Sequence, residues 1–595
     1  SGRMAGFAGT GQGLGTVRAS FLAIAASVMA LQMEVAHADP TLVAPQGSID
    51  AEAAVSPLSA QDTYRALFAA LRASNWLEAQ SRIASLDKDD PVRSVALAEL
   101  YTAKNSPKVE LFDLLDLLNK ASWLPDADQL SRMAKKRGAE LLPDGPQVQK
   151  LMWLGSAPRR QYIATVKQDA AAQALVAQIQ PFIKANTASS AEGLITPEVE
   201  TTLTPDGLAE ARQRIAWSHY VNNDDASALR LANQVIATGA ACDWVMQAHW
   251  TIGLASWRQN DPKAAASAFE QVMNVASNDD MRSAGAYWAA RAWMNAGQPA
   301  KVEALLKRAA QRSDSFYGML ARETLGIDAP QAAMNPMRSA AILDKPAVKA
   351  ALALHDIGED DLADQLLRHQ AAIGTIRDYD SLISLTDTMD LPATQIWLAQ
   401  RGPAGHDGGA FGRFPRPSWK PDGGWRVDPA LVYAHALQES VFRVDAVSPA
   451  GARGLMQVMP GTARLMDGQP VPLARLTTPS TNLEYGQRYL ETLRDMKATG
   501  GLLPKVMAAY NAGPLPVERW NSQVQDNGDP LLFMESLPYY ETRAYVNIVM
   551  RNYWMYELRD EGKADALTAM AQGKWPAFPT LKNGRPVEVS YRISR

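Results

Sequence analysis

Glu439 ends the run Asp428-Pro429-Ala430-Leu431-Val432-Tyr433-Ala434-His435-Ala436-Leu437-Gln438-Glu439-Ser440. Asp is a good helix N-cap and Pro suits the first helical position, so a helix is predicted from Asp428 to about Ser440. Val432, Ala436 and Glu439 then share one face, and the carboxyl group continues an apolar stripe. Desolvation and the negative end of the helix dipole both disfavour the anion, so a raised pKa is expected. A carboxyl held protonated near neutral pH can deliver a proton to a leaving oxygen. A structural, hydrogen-bonding Glu is the plainer alternative.

Three further stretches carry groups suited to a polar chain ligand. Ser448 to Ala463 contains Gly451, Gly454 and Gly461, which permit tight turns and close backbone approach. Leu455 and Met459 of this loop are candidate core residues. Pro504 to Ala512 reads as a short helix closed by Gly513 and stopped by Pro514, with Tyr510 and Asn511 in its last turn. A Tyr hydroxyl and an Asn amide can hold an N-acetyl group and ring hydroxyls; core packing and helix closure are the alternatives. Ser536 to Val546 opens a helix predicted to end near Tyr556. Glu541 near its start is either a second site carboxylate or a capping, Arg543-paired acid.

These residues need a scaffold, and the rest of the chain reads as helical. From about Ala60 to Leu325, apolar residues recur at spacings of three and four, as in Tyr64, Leu67, Phe68 and Leu71. Asp225-Ala226, Pro262-Lys263-Ala264-Ala265 and Pro299-Ala300-Lys301 follow at steps of 37 residues, each beyond an aromatic helix. Such a period is the signature of helical-hairpin repeats resembling the tetratricopeptide type. Their Trp and Ala residues are read mainly as core, with a ligand-binding aromatic stripe as the alternative. Residues 333–400 are helical without that step. The Gly, Pro and aromatic content between Arg401 and Trp425 marks the clearest boundary.

The N-terminal end carries Arg3 and Arg18, an apolar run from Phe21 to Leu31, and Ala36-His37-Ala38, the order of a secretory signal peptide. A periplasmic location is expected. No second apolar stretch is long enough to span a membrane. Cys242 is the only cysteine, so no intramolecular disulfide is possible, and none stands at the cleavage site to carry a lipid. A net charge of -4 with mixed signs argues against a nucleic-acid partner.

The order Gln438-Glu439-Ser440, then Ser448 through Gly454-Leu455-Met456-Gln457, then Ala509-Tyr510-Asn511-Ala512-Gly513, then Tyr540-Glu541-Thr542-Arg543 with Tyr545-Val546 resembles the soluble lytic transglycosylases. Phe316-Tyr317-Gly318 with Ala321 is similar to the segment that closes that family's superhelical domain. The resemblance implies an all-α fold: signal peptide 1–38, α-superhelical repeat domain 39–330, helical linker domain 331–410, lysozyme-like catalytic domain 411–575 and C-terminal tail 576–595. It implies Glu439 as sole acid and base. Ser448, Gln457, Met459, Tyr510 and Glu541 would line the sugar groove, and Asn511 belongs to the same motif. The implied reaction cleaves the β-1,4 bond between N-acetylmuramic acid and N-acetylglucosamine of peptidoglycan, forming a 1,6-anhydro end without water.

No metal or cofactor is implied, and no His/Cys/Asp cluster has metal-ligand spacing. Leu437 stands where the family usually has Arg, which puts a local ion pair in doubt. Glycan strands are the expected partner, other wall enzymes could dock on the superhelix, and a monomer is expected. Two alternatives remain: hydrolysis of the same bond, as in goose-type lysozymes, and a non-catalytic scaffold binding wall glycan or envelope proteins.

Overall fold

The computed structural model describes residues 59–156, 159–328, 340–406, 410–582 and 585–587. The signal-peptide reading of 1–38 lies outside them. The described chain is all-α; the only strands among the described residues are the short pairs Met152–Trp153 with Arg401–Gly402 and Thr580–Lys582 with Arg585–Val587.

The 37-residue step is a step of turn chemistry. Asn223 and Asn260 take left-handed conformations, φ 63° and 61°, and Gly297 takes the same place at φ 70°. Asn and Gly tolerate that region best. The Asp that follows each Asn caps the next helix: Asp224 accepts from the Ser227 amide and Asp261 from the Ala264 amide, both at 3.1 Å. The paired helices are Pro205–Val221 with Asp225–Ile236, Asp243–Arg258 with Pro262–Val275, and Asp279–Asn295 with Val302–Ala310. Asn186, φ 58°, lies 37 residues before Asn223, so the step reaches one hairpin further toward the N-terminus than the sequence motifs mark.

Packing follows the small-against-large pattern. A Cβ on Gly253 would lie 2.4 Å from the Phe269 ring, and one on Gly285 would meet the Met273 backbone at 2.6 Å. Trp250, Phe269 and Trp288 are buried and meet with ring centroids 5.3 to 6.3 Å apart. These aromatics are core.

The helices from Ala60 to Lys136 share one apolar core with 342–398, Leu67 and Leu114 clustering with Val348, Leu367 and Leu382. Arg72 pairs with Glu359 at 2.6 Å at the exposed edge of that core. The helices after the repeats therefore bury their apolar faces against the beginning of the described chain.

Phe316-Tyr317-Gly318 joins the repeats to the C-terminal helices. Phe316 stacks on Trp554, and the Tyr317 hydroxyl donates to Glu535 at 2.6 Å while accepting from Trp288 Nε1 at 2.9 Å. Gly318 is required because a Cβ would fall 1.8 Å from the Arg312 carbonyl oxygen. Glu535, fully buried, is also paired with Arg160, which has Asp280 at 3.8 Å on its other side. The Pro-rich segment after Arg413 crosses this unit with its carbonyls satisfied: Pro415 accepts from Tyr556 and Pro417 from Tyr433, each at 2.9 Å.

Candidate active site

The helix carrying Glu439 runs Pro429–Ser440, as its sequence predicts, with the Asp428 carboxylate accepting from the Ala430 amide at 2.9 Å. Tyr553 of the long Tyr540–Glu561 helix donates to the other Asp428 oxygen at 3.1 Å, tying the two helices together. Val432 and Ala436 are fully buried, and Glu439 follows on that stripe, half-buried. Leu437 packs against the core. The helix ends abruptly because Val441 and Phe442 both adopt left-handed conformations, φ 54° and 58°. For a β-branched residue that conformation is strained, and such strain concentrates at functional sites.

Tyr545, buried on the long helix, donates its hydroxyl to Glu439 Oε1 at 2.8 Å. It is the residue that sequence reasoning left out of the site, although its motif contains it. Beneath Glu439, His435 is fully buried between the rings of Tyr510, 4.8 Å away, and Tyr545, 6.1 Å away. Its Nδ1 lies 2.9 Å from the Leu431 carbonyl, which only accepts, so Nδ1 carries the proton. Burial pushes the imidazole down to about 4, and it is neutral at physiological pH. Burial first, then the neighbouring Glu439 charge, holds the Tyr510 hydroxyl well above its ordinary range. Tyr510 thus remains a donor, to the Met456 carbonyl at 2.8 Å.

The loop after Glu439 is a compact turn built on its own backbone. Arg453 and Val458 exchange amide bonds at 3.0 and 2.9 Å, and Ser448 Oγ accepts from the Ala452 amide at 3.0 Å. Gln457, itself at φ 49°, donates its side-chain amide to the Ala446 and Gly454 carbonyls at 3.2 and 3.0 Å. Ser448 and Gln457 therefore shape the loop. The fully buried Asn482 clamps it: its Oδ1 accepts from the Met456 amide at 2.8 Å, and its Nδ2 donates to Arg453 and Leu476 at 2.8 and 2.6 Å. Nothing local in the sequence signals Asn482. Gly454, φ 73°, lies so close that a Cβ would meet Asn482 Nδ2 at 2.4 Å. Gly461 falls inside the helix Pro460–Asp467, so it makes no turn; Met459, half-buried, is that helix's N-cap.

Asn511 accepts from the Thr542 hydroxyl at 2.8 Å, joining the helix Leu503–Ala512 to the long helix. Gly513, φ 87°, ends that helix, and Pro514 opens the next one at once. Glu541 stands in the first turn of the long helix, four residues before Tyr545 and on the same face. That helix continues past Tyr556 to Glu561, because the first breaker is Gly562, φ 71°. The structure brings Glu439, Tyr510 and the Met456-Gln457 turn around one centre.

Residues 419–533 match the Transglycosylase SLT domain model. Glu439, Ser448, Gln457, Met459, Tyr510 and Asn511 fall inside that segment; Glu541 and Tyr545 lie beyond it. The chain is similar to soluble lytic murein transglycosylases of Salmonella typhimurium, 33% identical over 190 residues, and Escherichia coli K12, 34% over 160 residues. This chain thus resembles the soluble lytic transglycosylases over part of its length, and residues 419–533 carry the Transglycosylase SLT match. The aligned parts make up 31% and 26% of this chain, and 27% and 24% of those relatives' lengths. The fold extends further than the sequence similarity. The crystal structure of the 70 kDa soluble lytic transglycosylase of E. coli superposes with a TM-score of 0.54, covering 87% of this chain and all of that one at 18% identity. A complex of a 70-kDa soluble lytic transglycosylase with bulgecin A superposes equally, with 88% of that chain covered and 19% identity. Among the described residues no helix is long and apolar enough to cross a membrane.

Proposed function

We propose that this protein is a peptidoglycan lytic transglycosylase with Glu439 as its single acid and base. The observation that carries this reading is the half-buried Glu439 held by the Tyr545 hydroxyl inside an SLT-type domain. Glu439 protonates the oxygen leaving C1 of N-acetylmuramic acid as the C1–O bond breaks, and the sugar's acetamido group assists at C1. The resulting carboxylate then removes the proton from the C6 hydroxyl of the same sugar, and O6 bonds to C1 to close the 1,6-anhydro ring. The cycle returns the proton to Glu439 and consumes no water, whereas most glycosidases use a second carboxylate for that purpose.

Tyr510, Met459 and Glu541 are assigned to the sugar groove, with Ser448, Gln457 and Asn511 holding the groove's loop and helix in place. The signal-type segment and the wall substrate together support a periplasmic site of action, and the chain is taken to act as a monomer on glycan strands. Mass spectrometry of the soluble products from digested sacculi tests the reading. Anhydro-ended muropeptides, absent when Glu439→Gln replaces the wild type, are expected. Reducing-end products would instead identify a hydrolase, and no products from folded wild type would favour a scaffold.

A further inference from the structure

A cavity of about 420 Å³ opens at the joint between the repeats and the C-terminal helices, lined by Trp257, Asn260, Arg291, Asn295, Asn527 and Asp529 among others. None of these belongs to the surroundings of Glu439 described above. Ligand cavities fall in this size range and favour boundaries between structural units.

Its floor is electrically neutral. Arg291 Nη2 pairs with Asp529 at 2.8 Å, and the guanidinium lies over the rings of Trp257 and Trp288, 4.9 and 4.5 Å from their centroids. The other terminal nitrogen, Nη1, is buried without a protein acceptor. The rim carries three exposed Asn amides, two of them thrown outward by left-handed backbone: Asn260 at φ 61° and Asn527 at φ 51°.

The repeat itself shows what such an Asn does when it has a partner. Asn223, one step earlier, donates to the Gln523 carbonyl at 2.7 Å and accepts from Arg258 Nη1 at 3.0 Å, closing the repeat onto the C-terminal unit. At Asn260 the two units stand apart around the cavity instead. A neutral floor offers little to an ion. Carboxamides, an unmet N–H donor and an indole wall suit a neutral ligand rich in hydroxyl and acetamido groups.

We propose that this cavity is a second glycan-binding site, which takes N-acetylated amino-sugar residues of a wall strand while the strand is worked on at Glu439. The assignment rests on the wall-enzyme reading above. The test titrates the full chain carrying Glu439→Gln with tetra-N-acetylchitotetraose by calorimetry. Two binding events are expected. One should weaken at least tenfold in the N260G/N527G variant, where Gly accommodates the left-handed backbone, and likewise in Asn295→Arg, which fills the mouth. A single event untouched by both variants overturns the site, as does binding of a free stem peptide in place of the sugar. Calorimetry reads the cavity whether or not wild type cleaves sacculi, so failure of the site and failure of the enzymatic reading are separable.

Discussion

Tyr545 and Glu439 face each other across two helices, the phenol hydroxyl 2.8 Å from the carboxylate oxygen. The contact holds one oxygen of the proposed acid. Hydrogen bonds to charged groups contribute about 1.5–3 kcal/mol, so Tyr545→Phe should slow sacculus cleavage roughly 10- to 100-fold. The melting temperature should change little. Unchanged turnover would remove Tyr545 from the machinery.

Asn482 supplies three hydrogen bonds to the loop after Glu439 from a fully buried position. Asn482→Ala leaves the Met456 amide and the Leu476 carbonyl unmet, while the Arg453 carbonyl keeps the Val458 amide; the loss should be roughly 2–4 kcal/mol on the scale of buried unsatisfied groups. Urea unfolding measures it. A loss below about 0.5 kcal/mol, the range of ordinary surface substitutions, would show that the loop stands without its clamp.

Glu535 neutralises Arg160 at the joint between repeats and C-terminal helices, both being buried. Glu535→Gln leaves the guanidinium only the more distant Asp280, at 3.8 Å, and breaking a buried pair from one side costs about 3–5 kcal/mol. Adding Arg160→Met should recover only part of that loss, because the buried Asp280 then loses Arg160 as its partner. A double variant no more stable than the single would contradict the pairing as the cause.

His435 has a depressed pKa, about 4 in the fold against 6.5 ordinarily. Between those values the unfolded chain binds the extra proton, so the stability this group contributes is present above pH 6.5 and is lost as pH falls toward 4. The size is on the order of 3 kcal/mol at most. His435→Phe should therefore narrow the stability gap between pH 7 and pH 4 relative to wild type. Parallel pH profiles would exclude His435 as a source of acid sensitivity.

Val441 holds an exposed left-handed position directly after the helix of Glu439. Val441→Gly relieves that strain and should raise stability by about 1 kcal/mol, read as a higher denaturant midpoint. A lower midpoint would show that contacts of the Val side chain outweigh its backbone strain.

Local chemistry wrote much of this molecule legibly. Asp428-Pro429 declares the start of the helix of Glu439, Gly513-Pro514 its neighbour's end, and the 37-residue rhythm the repeats, because caps, turns and periodic burial act within a few residues. The order of motifs, with Glu439 at their head, is likewise written in the sequence. Only the tertiary structure decided that Tyr545 reaches Glu439, that Asn482 clamps the loop, and that Ser448 and Gln457 are bound into the loop's own backbone. It alone showed residues 342–398 burying their apolar faces against the first helices. Each of these depends on groups tens to hundreds of residues apart, whose meeting is set by how whole helices pack and which buried polar atoms must then find a partner.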